Sequence, residues 1–183
     1  YPVNLNKIRV MNPVEIEQAL DDLSQLEFVP VEFPYQFLAS FGNSDVTLKR
    51  LRSGNSNKSD IESGVLQRSN IHIATCPAGH VNQTLKTLRA SPETSTAKAK
   101  LILATDGQEL EAENVISGET VACDYKDFPD HFGFFLPLAG ITTTAEIRNN
   151  PIDIKATGRL NRLYIELLKH NEDWDTSERR HDM

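Results

Sequence analysis

Apolar residues recur at helical spacing near the start of the chain, where Ile16, Ala19, Leu20 and Leu23 fall at i, i+3, i+4 and i+7. Asn12 precedes them as an N-cap, and Pro13 suits the first helical position, where a missing N–H costs nothing. Acids in the first turns complement the positive end of the helix dipole. After the Phe28-Val29-Pro30 break, Pro34 opens a second predicted helix with Phe37, Leu38 and Phe41 on one face and Gly42 as its left-handed terminator. Ser44 caps a third, carrying Val46, Leu48 and Leu51 and ended by Gly54. A polar, turn-forming loop follows from Gly54 to Asp60.

Beyond that loop the period changes. Val65 to Arg68 and Ile71 to Thr75 read as short strands, Val81 to Ala90 as a helix through Leu85 and Leu88, and Lys100 to Thr105 as a strand buried on both faces. Asp106-Gly107 makes a hairpin turn into Leu110 to Val115, and Ser117-Gly118 leads into Thr120 to Cys123. An aromatic stretch with Phe128, Phe132, Phe134 and Phe135, interrupted by Pro129 and Pro137, reads as core packed on the sheet together with Leu136, Leu138 and Ile141. A last amphipathic helix is expected from about Asp153 to Lys169, striped by Leu160, Leu163, Tyr164, Leu167 and Leu168. The fold class is therefore α/β of the α+β kind, a mixed central sheet flanked by helices. Residues 1–60 form a helical cap, 61–150 the sheet core and 151–183 the C-terminal helix.

Composition adds exclusions. At 183 residues with nine Gly, nine Pro and two Cys, the chain is sized for one globular domain, not a disulfide scaffold or long disorder. No apolar run reaches the length of a membrane span, and Lys7 and Arg9 are followed by no signal-like stretch. Cys76 and Cys123 lack a Cys-x-x-Cys spacing and suit the cytoplasm. The start at Tyr1 and the charged end from Arg179 to Met183, without a helix-stop signal, suggest a piece of a longer protein.

Charge changes the picture more. The whole chain carries a formal −7, yet residues 1–43 hold six acids against Lys7 and Arg9, whereas residues 44–58 hold four cations against Asp45. Lys49, Arg50 and Arg52, followed by Asn55, Ser56, Asn57, Lys58 and Ser59, could bind phosphates through charge and hydrogen bonds, with Arg68 nearby. The competing reading is solvation of a helix C-terminus.

Other chemistry is sparse. No Walker loop or Gly-x-Gly-x-x-Gly fingerprint occurs. His72, Cys76 and His80 stand at four-residue intervals, but Pro77-Ala78-Gly79 displaces His80 and no fourth metal ligand is in sight. His131 beside Asp130 reads as structural, and Asp153-Ile154-Lys155 as a helix start.

Three groups of residues carry a family resemblance. Phe37-Leu38-Ala39-Ser40-Phe41-Gly42, Thr47-Leu48-Lys49-Arg50-Leu51-Arg52 and Gly64-Val65-Leu66-Gln67-Arg68 resemble the N-terminal region of MmeI-like (type IIL) restriction-modification proteins and related bacterial DNA methyltransferases. Leu101 to Asp106, His131 to Gly140 and Leu160 to Tyr164 extend the similarity over most of the chain. The resemblance implies a PD-(D/E)XK nuclease-like core, followed in the parent by a helical segment, an S-adenosylmethionine-dependent methyltransferase domain and a target-recognition domain. It also implies double-stranded DNA as the parent's partner, and intramolecular contact with the downstream domains. Nuclease chemistry needs an Asp and a Glu to hold magnesium and a Lys two residues after the Glu. The matching positions are Gly64, Ala74 and Cys76, so a catalytically degenerate domain is expected, with no catalytic, metal or cofactor residues of its own. The alternatives are an active nuclease with acids migrated to Asp60, Glu62 or Asp106, and a purely structural or partner-binding domain.

Overall fold

Local signals at residues 12–15 start the first helix as the spacing requires. In the computed structural model, which describes residues 11–141, α1 runs Pro13–Gln25; Asn12 Oδ1 accepts from the Glu15 N–H, and the Glu15 carboxylate returns the bond to the Asn12 N–H. This reciprocal capping box satisfies two otherwise orphaned donors. Helix α2 (Phe33–Ala39) stops before Phe41, earlier than expected, because the chain tightens there: the Phe41 N–H donates to Leu38 O, three residues back, and Gly42 adopts φ +88°. Helix α3 (Asp45–Arg52) is capped by Ser44 as expected, but Val46 is not core. It is 56% exposed, and only Leu51 of α3 is fully buried.

Five strands follow: β1 (Gly64–Gln67), β2 (Ile71–Thr75), β3 (Leu101–Thr105), β4 (Glu109–Asn114) and β5 (Thr120–Asp124). They form one mixed sheet in sequence order. Only β2 and β3 are parallel, joined through α4 (Val81–Ala90) and a five-residue helix α5 (Pro92–Thr96) that the hydrophobic pattern had not signalled. The other neighbours are antiparallel. β3 is buried at every position, as its continuous apolar run required. At the β3–β4 turn Gly107 takes φ +85°, and a Cβ there would lie 2.4 Å from the Phe28 ring. The turn thus needs glycine for its backbone and for its neighbour.

The sheet buries its two faces differently. On one face, α1, α2, two 3₁₀ segments (Tyr125–His131 and Leu136–Ala139) and the short α6 (Phe132–Phe135) gather Ile16, Leu20, Phe33, Phe37, Phe128 and Phe135 against Val65, Ile73 and Leu103. The Phe-rich stretch is core, as its pattern suggested. On the other face, α4 sets Val81, Leu85 and Leu88 on Ala74, Ile102 and Ala104. The described residues lie in one compact unit. No helix among them is long and apolar enough to cross a membrane. The expected helix at 153–169, with Asp153 and Lys155, lies outside the described residues.

Candidate nucleic-acid interface

The basic segment is built by the end of α3 and the loop after it. Lys49, Arg50 and Arg52 occupy the last turn, where cations complement the carbonyl end of the helix. All three are exposed, but they do not stay equivalent. Arg52 donates through both terminal nitrogens to the Glu32 carboxylate, at 2.5 and 2.9 Å, and its guanidinium lies 4.4 Å from the centre of the Tyr35 ring. The same hydrogen bonds hold the Glu32 carboxyl below its ordinary value and raise Arg52 further. Arg52 therefore ties α3 to α2. Lys49, Arg50, Lys58 and Arg68 make no ion pair with another described residue.

Asn57 has a structural use as well. Its Nδ2 donates to Gly64 O at 3.0 Å, and its Oδ1 accepts from the N–H groups of Ser59 and Leu66. The Lys58 N–H adds a bond to Leu66 O, so the loop runs along the outer edge of β1 like a partial strand. This covers groups that would otherwise stand open on a sheet edge. Asn55, in contrast, is exposed.

The positions matched to the nuclease Asp and Glu, Gly64 and Ala74, are brought together by register, and Cys76 stands at the position matched to the Lys. Gly64 pairs directly with Ala74 across the β1–β2 hairpin. A Cβ at Gly64 would lie 2.2 Å from Ser59 Oγ and 2.9 Å from the Ile61 carbonyl, so Ser59 and its loop fill that space. Ala74 is 1% exposed among aliphatic side chains. The Cys76 N–H donates to Thr105 O at 3.0 Å, and burial pushes its thiol pKa up. Neither Gly64 nor Ala74 offers the side-chain oxygen ligands that a divalent ion of nuclease type takes, and Cys76 supplies no ammonium. Nor do the alternative acids converge there. Asp60 accepts from Ser91 Oγ at 2.6 Å beside α5. Asp106 sits in the β3–β4 turn; burial opposes its charge, but the N–H groups of Glu109, Gly79 and Gln108 outweigh that and hold its pKa low. Glu62 is exposed. Among the described residues, no three His, Cys, Asp or Glu side chains are grouped to hold a metal ion.

What fills the Gly64 site is part of a polar chain that sequence spacing did not reveal. Ser59 Oγ lies 2.8 Å from His72 Nε2, and His72 Nδ1 lies 2.8 Å from Thr94 Oγ1, which donates to Leu88 O at 2.7 Å. Thr94 has one hydroxyl proton and spends it on a carbonyl, so His72 Nδ1 is the donor to Thr94; Nε2 of the neutral ring then accepts from Ser59, whose single proton goes to the imidazole at 2.8 Å in preference to the Ile61 carbonyl at 3.2 Å. His72 is fully buried, and that burial brings its pKa down to about 4 despite the opposing Asp60 charge. The neutral imidazole is a weak base held by two hydroxyls. It fixes the loop rather than activating Ser59. His72, Cys76 and His80 do not converge either, since His80 Nδ1 lies against the Ala78 carbonyl at 3.1 Å.

The sequence model of the family described as "MmeI, N-terminal domain" matches residues 11–170. Among curated proteins, DNA methyltransferase A of Bacillus subtilis (strain 168) is 27% identical over 146 residues, covering 80% of this chain. The aligned part amounts to 17% of that relative, so the chain spans a small fraction of its length. No solved structure matches the chain.

Proposed function

The chain belongs to the MmeI N-terminal domain family, and from that membership we propose that it is the nuclease-like but catalytically degenerate domain of a larger S-adenosylmethionine-dependent DNA methyltransferase of restriction-modification type. The observation that carries the degenerate part is the closed Gly64 site: its hairpin partner is Ala74, and the Ser59 hydroxyl and the Ile61 carbonyl occupy the space a side chain would need. A carboxylate at 64 would require the loop to move. A PD-(D/E)XK-like reading of the core draws support from the β1–β2 hairpin, the α4 crossover and the parallel β3. The residues present do not fit a catalytic metal, so no cleavage step is assigned.

In this reading the domain supports the arrangement of the parent enzyme and touches duplex DNA through phosphates. Lys49, Arg50, Lys58 and Arg68 supply charge, Asn55 supplies hydrogen bonds, and Arg52 and Asn57 hold the scaffold that presents them. S-adenosylmethionine would be bound, and the methyl group transferred, by the parent's downstream domains, which are also this domain's intramolecular partners. The cytoplasm is the proposed compartment, in keeping with two free thiols at Cys76 and Cys123.

Supercoiled plasmid incubated with the chain and magnesium or manganese tests the degenerate reading. Plasmid remaining supercoiled is the expected result. Nicking that disappears in Asp60→Ala or Asp106→Ala overturns it.

A further inference from the structure

The DNA-facing charge does not end with the segment around α3. We infer that the phosphate-contacting surface continues past Arg68 to Lys98 and Lys100 at one end of the sheet, an inference that rests on the DNA-contact reading above. Backbone hydrogen bonds lay these residues side by side. The Ser56 N–H donates to Arg50 O and the Lys58 N–H to Leu66 O, which carries the basic segment onto β1. Two residues further, in the β1–β2 turn, the Ser69 N–H donates to Ala97 O at 2.8 Å, setting Arg68 and Ser69 against the α5–β3 linker. The Lys100 N–H then donates to Asn70 O at 2.8 Å. The turn and the linker are thus clasped at two points, and Ser69 and Lys98 both take left-handed φ values, +58° and +56°.

Arg68 and Lys98 are exposed and Lys100 is partly so. None of the three is ion-paired with a described residue, whereas Arg52 and Arg89 are held by Glu32 and Glu113. Glu113 is therefore already matched; the other acids on adjoining elements are Glu62, Glu93, Glu109, Glu111 and Glu119, together with Asp60, which keeps its charge while accepting from Ser91.

The far edge of the sheet carries the opposite sign. Asp124, Asp127 and Asp130 lie close enough to Cys123 to raise its pKa alongside burial. Lys100 immediately precedes β3, two strands from β5 or about 10 Å at about 4.8 Å per strand, but it bonds to Val115 past one end of β4 whereas Asp124 pairs with Glu109 at the other end, about 20 Å along the strands at about 3.4 Å per residue. That exceeds the Debye length of about 8 Å at physiological salt, so these acids barely weaken the field at Lys100. A surface of exposed or partly exposed cations, with no ion pair to a described residue and lying next to turn amides and hydroxyls, suits a polyanion backbone, and with the parent read as a DNA enzyme that polyanion is duplex DNA.

The test is the salt dependence of binding of the chain to a fluorescein-labelled duplex, read by anisotropy. Lys98→Asn, which tolerates the left-handed backbone, combined with Lys100→Gln, should lower the slope of log K against log salt by about 1.8, at about 0.9 per phosphate contact. Lys86→Gln with Lys126→Gln removes the same charge elsewhere and should leave the slope unchanged. Should the Lys98 change unfold the chain, as a thermal melt would report, Arg68→Gln with Lys100→Gln takes its place with the same expected loss. A wild-type slope in the Lys98/Lys100 variant, beside a reduced one in Lys49→Gln/Arg50→Gln/Lys58→Gln, overturns the extension and keeps the DNA reading. Equal losses in the control pair also overturn the extension. A wild-type chain that does not bind duplex overturns both.

Discussion

The two faces of the sheet are held by different physics. On the face covered by α1, α2 and residues 125–139, aromatic rings pack on one another. Phe37 meets Phe135 edge-on at 5.3 Å and 84°, and Phe33 meets Phe128 at 6.3 Å and 89°. On the face covered by α4 and α5, the packing residues are smaller, and a fully buried histidine is tied to hydroxyls on either side. Buried aromatic area is worth several kcal/mol per residue, whereas a neutral hydrogen bond nets about 1 kcal/mol and costs more when one partner is removed. The aromatic face therefore supplies stability, and the polar face supplies position, including that of the loop closing the Gly64 site.

Truncation on the aromatic face should be the most damaging change. Phe128→Ala removes a fully buried ring that contacts Phe33, Phe37 and Tyr125. A loss of about 3–5 kcal/mol is expected in chemical denaturation, as for other core Phe truncations. A loss under about 1 kcal/mol would mean that the rings do not hold this face, and the contrast would fail.

The polar face should answer to pH instead. The folded-state pKa of His72, about 4, lies below the ordinary 6.5, so between those values the unfolded chain takes up a proton that the folded chain refuses. The contribution is fully present above pH 6.5, falls as pH drops, and is exhausted near pH 4, where the folded form protonates as well. Two and a half units correspond to about 3 kcal/mol. Stability measured from pH 7 to 4 should show this loss, and His72→Gln should lack it. An identical pH profile in the variant would remove His72 as its source.

Sequence showed those parts of the molecule that depend on neighbours in the chain. Asn12, Pro13 and Glu15 start α1 within four residues, and the Asp106-Gly107 turn declares its own hairpin. Charge segregation was equally readable, because the cations from Lys49 to Lys58 are consecutive along one helix end and loop. The pairings that give those residues their roles span greater distances: Ser59 to His72 is thirteen residues, Arg52 to Glu32 twenty, His72 to Thr94 twenty-two. No periodicity encodes such pairs, so Ser59 and Arg52 both looked like phosphate ligands. Helix α5 escaped for another reason, since five mostly polar residues carry no amphipathic stripe.

Arg52 gives the smallest expected effect and the finest test of this division between scaffold and surface. Its guanidinium is matched by Glu32 in a two-point contact and covered on one side by Tyr35, so approaching DNA meets a pair with little net charge. Arg50 and Lys58, a few residues away, have no such partner among the described residues. Arg50→Gln and Lys58→Gln should each reduce the salt slope of duplex binding by about 0.9, whereas Arg52→Gln should leave it nearly unchanged. A full loss in Arg52→Gln would show that DNA competes with Glu32 for the guanidinium. The tie between α2 and α3 would then open on binding, and Arg52 would belong to the surface rather than to its support.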